Sequence, residues 1–557
     1  MSAESGLSLM LDLPGGAAFR PTLPDCLQAA AAAYEDAEYL VSSDQRVSFR
    51  EAERASAKIA RALLALGSTK ESRVGLLMSN RPFWAVIFFG IARAGGITVP
   101  FSTFYQAPEI AWCLAHTDVE TLIIEPSYLR QDYLALLEAA IPGLADQKGP
   151  TLFFPDFPFL RRIIVAGACD RAWALSLDDA LDAAASRAEI DDAFLARVEA
   201  AISPADRLLI ICTSGSSGEP KAVVHTHGVA VRITNSFLDY LDLRRGDRNY
   251  TGQPFFWIGG LNVNLLPALQ AGMCLIFADR PEPAELARLI ADESITRLSL
   301  WPAQIKAIVE AAEREGVSLA SVRSGLGAPR DEAGLVIPAD RRMGGVLGMT
   351  ESFGMHSIDR RTTPLPRGKG GTWGRHLPGV ERRIVDPITR AVLPPGSKGE
   401  LEVRGYTLMQ GYYKRDREEV FAADGWFATD DLCTIDADDF LYFHGRAGEM
   451  IKTSGANVSP REVELALQSH AGIEEAIVFG VPDSVRGETI VAVIVPVGEG
   501  RFDEAAARGH LATRISSFKI PHRFVAMAKE EIPRTGSEKP IKGVLRDRLA
   551  DQSSNKE

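Results

Sequence analysis

Between residues 73 and 230, short apolar runs alternate with segments of helical period. RVGLLMS (73–79), GITVPF (96–101), TLIIE (121–125), RIIVAG (162–167) and RLLIIC (207–212) have the length and branched content of buried strands. Residues 84–94, 109–116 and 128–140 read as helices between them. A strand buried on both faces reaches its parallel neighbour through a crossover, usually a helix. The alternation therefore predicts α/β layers on largely parallel sheets. Four prolines (Pro142, Pro150, Pro155 and Pro158) mark 142–158 as a surface loop.

A second α/β stretch follows from about 227 to 374, with helices expected over 285–292 and 302–314. After Pro378 the pattern changes. RRIVD, GELEVRG and DLCTIDADDFLYFHG read as antiparallel strands of a small barrel or sheet. Beyond Gly445 a compact α+β segment is expected, with helices at 459–468 and 505–514 around the strands EEAIVFG and TIVAVIVP. The predicted division is 1–445 and 446–557, hinged near 446–448. At 557 residues the chain exceeds what one core normally supports.

Lys+Arg 61 against Asp+Glu 73 gives a net charge of −12. That argues against nucleic acid as a partner, and any anionic ligand must be held by local groups. The six cysteines form no CxxC pair or metal-ligand spacing, as expected of reduced thiols in a cytoplasmic protein. The N-terminus lacks a basic region, so no signal peptide is expected. The longest apolar region, 83–101, is broken by Arg93 and Gly95-Gly96, so no transmembrane segment is expected.

The chemistry concentrates in TSGSSGEPK, residues 213–221, between the apolar runs LLIIC and KAVVH. Glycines allow close backbone approach, hydroxyls and backbone N–H groups donate, and a lysine adds charge: a loop suited to polyphosphate. It is not a Walker loop, because Glu219-Pro220 separates Gly218 from Lys221. No GxGxxG opens a helix.

This loop resembles the signature loop of the adenylate-forming superfamily, which includes acyl-CoA synthetases. The resemblance extends over roughly 40–548. It implies a large N-terminal domain of two α/β subdomains plus a small β-barrel-like subdomain, and a smaller mobile α+β C-terminal domain. GGVLGMTESFG (344–354) resembles the GxTE motif. There Thr350 would contact the α-phosphate and Glu351 would bind Mg²⁺, with Thr213 as a second metal contact; Leu347, Gly348 and Met349 would lie beside the nucleotide. Gly327-Ala328-Pro329 resembles the turn under adenine. DGWFATDDL (424–432) resembles the DGW…TGD motif, with Asp431 on the ribose hydroxyls and Arg446 on the same nucleotide. Thr213, Ser214, Gly215, Ser216, Ser217, Gly218 and Lys221 would hold the phosphates. PRTGSEK (533–539) resembles the motif that ends in the catalytic lysine, here Lys539.

Four positions depart from the family pattern: Leu347 replaces an aromatic, Asp430 a glycine, Glu538 a glycine before Lys539, and the fourth is the hinge. The hinge position is Gly448, where many relatives carry Asp or Lys.

QPFFWIGG (253–260) resembles the acyl-tunnel loop, with Trp257, Ile258 and Gly259 as lining. Gly325, Gly345 and Phe353 are further acyl-pocket candidates, and Ser454 and Gly455 are placed at the pantetheine approach. No carboxylate follows Phe255, which disfavours an α-amino acid, whose buried ammonium would need a partner. The implied activity is an ATP-dependent, AMP-forming carboxylate–CoA ligase, with ATP, Mg²⁺ and CoA, acting on an apolar fatty or ring-bearing acid. Loading of a carrier protein and a silent nucleotide sensor are the alternatives. A homodimer is open.

Overall fold

A computed structural model of the chain describes residues 9–213, 220–446, 450–483, 485–498, 502–534 and 540–551. Its strands follow the apolar runs. Thr121–Ile124 and Ile97–Pro100 are buried throughout, which is why they read as unbroken apolar runs. They belong to an eight-stranded sheet in the order Ala174–Ser176, Arg162–Val165, Thr121–Ile124, Arg73–Leu77, Ile97–Pro100, Arg207–Thr213, Lys221–Thr226, Gly411–Tyr412. The first six are mutually parallel, and the last two run antiparallel to their neighbours. A five-stranded sheet runs Arg297–Ser299, Arg248–Thr251, Cys274–Ile276, Glu38–Val41, Arg46–Ser48. Only its final pairing is antiparallel.

The helix Pro82–Arg93 packs in the core of this unit. Proline at its first turn suits the missing N–H, and Trp84, Phe88 and Phe89 are fully buried. The chain after Pro378 forms a four-stranded antiparallel sheet of Val380–Val385, Lys398–Gly405, Phe427–Ile435 and Leu441–Arg446. The smaller C-terminal unit is built on the long hairpin Ile473–Asp483/Gly487–Pro496. One face carries the helices Pro460–Gln468 and Glu504–Ala512 over Val478 and Ala492, and the other carries Lys542–Asp551 over Phe479 and Val491. The fold is thus a large mixed α/β unit followed by a small α+β unit. No described helix is long and apolar enough to cross a membrane.

Two local expectations change. The helix expected over 128–140 begins at Tyr133, because Ser127–Tyr128 and Gln131–Asp132 form a small antiparallel pair. Asp132 then caps the helix, its carboxylate accepting from the Ala135 N–H at 3.1 Å. The proline-rich 142–158 segment is irregular, as expected, but Leu144, Leu152, Phe154 and Phe157 are buried in the core beneath it. Its aromatics anchor it instead of leaving it as a surface loop.

Candidate active site

The strands Arg207–Thr213 and Lys221–Thr226 pair antiparallel, with Thr213 directly opposite Lys221. The candidate phosphate loop therefore links two antiparallel strands, unlike a Walker loop, which links a strand to a helix. Ser214, Gly215, Ser216, Ser217 and Gly218 lie outside the described residues. Lys221 Nζ stands 5.0 Å over the Tyr412 ring. A cation on an aromatic face is held without being neutralised, so it keeps its charge for an anion. The Tyr412 hydroxyl donates to Glu351 Oε1 at 2.8 Å. Burial and the Glu351 charge raise the Tyr412 pKa, so this phenol stays protonated and remains a donor.

Glu351 is fixed by its backbone. It lies in the 3₁₀ turn Thr350–Ser352 between the strands Leu347–Met349 and Gly354–Ile358. Gly348 is required there: a Cβ would overlap the Gly354 carbonyl and lie 2.7 Å from Met355 Cα. Phe353 closes the turn at φ +50°, and its carbonyl accepts from Asn262 Nδ2 at 2.9 Å. His225 Nε2 donates to the Thr350 carbonyl at 2.7 Å, and the Met409 N–H donates to the Glu351 carbonyl at 2.7 Å. His225 is fully buried, which lowers its pKa to about 4, so it acts as a neutral donor. Tyr412, His225 and Asn262 were not singled out from sequence. The signal for His225 was available: a polar ring closing the apolar strand KAVVH.

Two cavities meet at this turn. A polar one of about 300 Å³ is lined by Thr213, Lys221, Gly348, Met349, Thr350, Glu351 and Asp430 among others. An apolar one of about 430 Å³ lies between the two units, with Trp257, Ile258 and Gly259 on one side and Gly455 and Phe518 on the other. Thr213, Thr350 and Asn457 line both. Gly455 sits at φ +82° against the exposed face of Trp301. The C-terminal unit is thus docked with the 454–455 turn at the apolar cavity.

Other candidates lie elsewhere. Asp431 is buried, and Arg446 is its register partner on the next strand. Asp430, at φ +60°, is the residue that reaches the polar cavity. Leu347 and Phe353 are core residues, packed respectively in the small sheet's core and against His225 at 5.0 Å. Gly325 (φ +104°) is pinned by backbone, since a Cβ would meet the Leu298 carbonyl oxygen at 2.5 Å; a Cβ on Gly345 would meet Trp373 at 2.9 Å. Gly327, Ala328 and Pro329 form a partly exposed turn that lines neither cavity. Ser454 is exposed at φ +48°. Gly448 and Lys539 lie outside the described residues.

Among the described residues no group of three or more His, Cys, Asp or Glu side chains is placed to hold a metal. Among the residues that line the polar cavity are the carboxylates Glu351, Glu419 and Asp430 and the hydroxyls of Thr213 and Thr350. Such hard oxygens fit Mg²⁺, which binds few protein ligands and takes the rest from water and phosphate.

The AMP-binding enzyme family model matches residues 27–413, and the AMP-binding enzyme C-terminal domain matches 462–539. The chain belongs to the AMP-binding enzyme family. It is 28% identical over 537 residues to the putative acyl-CoA synthetase YngI of Bacillus subtilis, covering 95% of this chain and 97% of that one. It is 30% identical to the indoleacetate–CoA ligase of Aromatoleum aromaticum over 502 residues, covering 88% and 91% of the two chains. A solved o-succinylbenzoate CoA synthetase (MenE) of Bacillus subtilis, bound to a product analogue, superposes with a TM-score of 0.73 at 22% identity. It covers 94% of this AMP-binding enzyme and 98% of its own chain, and shares its fold.

Proposed function

We propose that this AMP-binding enzyme is a carboxylate–CoA ligase that activates an apolar carboxylic acid as its acyl-adenylate. The observation that carries this is the junction at Thr213 and Thr350. There a polar cavity with a lysine and a carboxylate opens onto an apolar cavity between the units.

In the first half-reaction a carboxylate oxygen of the acid attacks the α-phosphorus of ATP, the bond to the β-phosphate oxygen breaks, and pyrophosphate leaves. The acid is already ionised near pH 7, so no general base is needed. The task is to bring two anions together, which calls for positioning and charge neutralisation. Lys221 and the 213–218 loop would hold the β- and γ-phosphates, and Thr350 the α-phosphate. Lys539 would bridge carboxylate and α-phosphate. Glu351 and Thr213 would hold Mg²⁺, which when bound neutralises phosphate charge. Asp431 and Arg446 are assigned to the ribose. In the second half-reaction the CoA sulfur forms a bond to the acyl carbonyl carbon, the thiol proton is lost, and AMP leaves.

Two poses of the C-terminal domain (446–557, hinged at Gly448) would serve the two steps. The docked turn at Gly455 suits the second. Trp257, Ile258 and Gly259 form an apolar wall with no carboxylate, in keeping with a fatty or ring-bearing acid. The relatives named as CoA synthetases and ligases support the thiol acceptor. A panel of carboxylic acids assayed for pyrophosphate release, with and without CoA, tests this. Acid-dependent release with acyl-CoA as product is expected; release with no acid in the panel overturns it.

A further inference from the structure

The two units meet at a buried cluster of charges on the wall of the interdomain cavity, among residues given no role above. Lys519 Nζ sits 2.7 Å from Glu109 Oε1 and 2.6 Å from Glu462 Oε1, and its side chain is only 8% exposed. Glu109 belongs to the large unit, on the helix Ala107–His116, while Glu462 and Lys519 belong to the small one. The Ser516 hydroxyl adds a hydrogen bond to Glu109 at 2.9 Å. Glu109 is held in place by its own helix, because Oε2 accepts from the Gln106 N–H at 2.9 Å and closes a capping box. Beside the cluster, Phe518 packs edge-on to Phe104 at 5.6 Å and to Trp257 at 5.9 Å.

We propose that Glu109 is a positioning residue for acyl transfer: it captures Lys519 and Ser516 and holds the C-terminal unit in the pose that brings Gly455 to the interdomain cavity. This rests on the two-step ligase reading above. The arrangement suits a reversible capture. Lys519 keeps Glu462 as a partner within its own unit in any pose, so undocking leaves no orphaned buried cation. Glu109 and the Ser516 hydroxyl are the groups that lose their partners. A buried pair that forced both charges apart would lock the domain instead. Burial raises the Glu462 pKa; at Lys519 burial works the other way, but the two carboxylates outweigh it and hold the ammonium charged.

The test uses the full-length enzyme with Glu109→Gln and Lys519→Met. Glu109→Gln retains an oxygen for the cap, and Lys519→Met leaves the capping box intact. Each single variant should lose about ten-fold or more in acyl transfer from a supplied acyl-adenylate to CoA. Single-turnover pyrophosphate release should hold within about two-fold. Small-angle scattering should show each single variant to be more extended than the parent enzyme. Equal losses in both half-reactions, or unchanged transfer, would overturn the proposal. If the parent enzyme activates no acid, the ligase reading fails on its own, and scattering alone decides the capture: an unchanged profile rejects it.

Discussion

At Gly455 one added methyl group should separate the two proposed half-reactions. Its backbone sits at φ +82°, and a Cβ there would press into Trp301, with even the third-nearest ring carbon at 2.7 Å. Carbon–carbon contacts are comfortable at about 3.5–4.0 Å. Alanine at this position pays two penalties of different kinds. The left-handed backbone costs about 1–2 kcal/mol, but the turn joins Ile451–Thr453 to Ala456–Val458 within the small unit, so that cost is present in every pose. The clash exists only when the small unit is docked. Trp301 is 38% exposed and has room to yield, which places the clash in the ordinary overpacking range of about 1–3 kcal/mol. The docked pose should therefore fall roughly 5- to 150-fold in population. In Gly455→Ala, transfer from a synthetic acyl-adenylate to CoA, followed by rapid quench, should slow by that factor, while single-turnover pyrophosphate release is unaffected. Adding Trp301→Ala should restore transfer. Equal slowing of both steps, or no rescue, would refute the reasoning.

Lys539→Ala should abolish adenylate formation and leave thiolation of a supplied adenylate largely intact; parallel loss of both would remove Lys539 from its assigned role. Glu351→Gln retains an acceptor for Tyr412 but loses the charge. The Mg²⁺ concentration for half-maximal adenylation should rise at least about ten-fold, with the melting temperature little changed; an unaltered Mg²⁺ profile would argue against metal binding there. Burial lowers His225 and His227 to about 4 and His356 to about 3, from 6.5. Below about pH 6.5 the unfolded chain binds these protons and the folded chain does not, so stability falls as pH drops, by up to about 1.4 kcal/mol per pH unit for each histidine. Burial raises Glu125 and Glu462, which work in the opposite direction, so the contribution is isolated by comparison with His356→Asn. That variant should show a shallower fall in urea midpoint between pH 6.5 and 4.5; parallel curves would contradict the assignment.

Local signals carried much of the fold. Arg207–Thr213 and Thr121–Ile124 were legible because a strand buried on both faces must be apolar at nearly every position. The start of the helix at Tyr133 was not, because its boundary is set by the Ser127–Asp132 pairing and not by apolar period. The anchoring of 142–158 was hidden by its prolines, while Phe154 and Phe157 decided its packing. At the site, the motifs marked Thr350 and Glu351, but their supports come from far along the chain. His225 is 125 residues from Thr350, Tyr412 is 61 from Glu351, and Lys519 is 410 from Glu109. Such pairings have no local period or spacing, so they become visible only when the sheets bring the segments together. The same holds for Asp430 and Asp431: which of two adjacent carboxylates meets the cavity depends on the bulge between Ala428 and Leu432 and on the left-handed backbone of Asp430.

The oxygen balance of the reaction offers the most direct test. A carboxylic acid that supports turnover, labelled with ¹⁸O at both carboxylate oxygens, should be incubated with the enzyme, ATP and CoA, and the products weighed by mass spectrometry. Attack of the carboxylate on the α-phosphorus leaves one labelled oxygen on AMP and one on the thioester carbonyl, with pyrophosphate unlabelled. Label in phosphate or pyrophosphate, or AMP without label, would contradict formation of an acyl-adenylate.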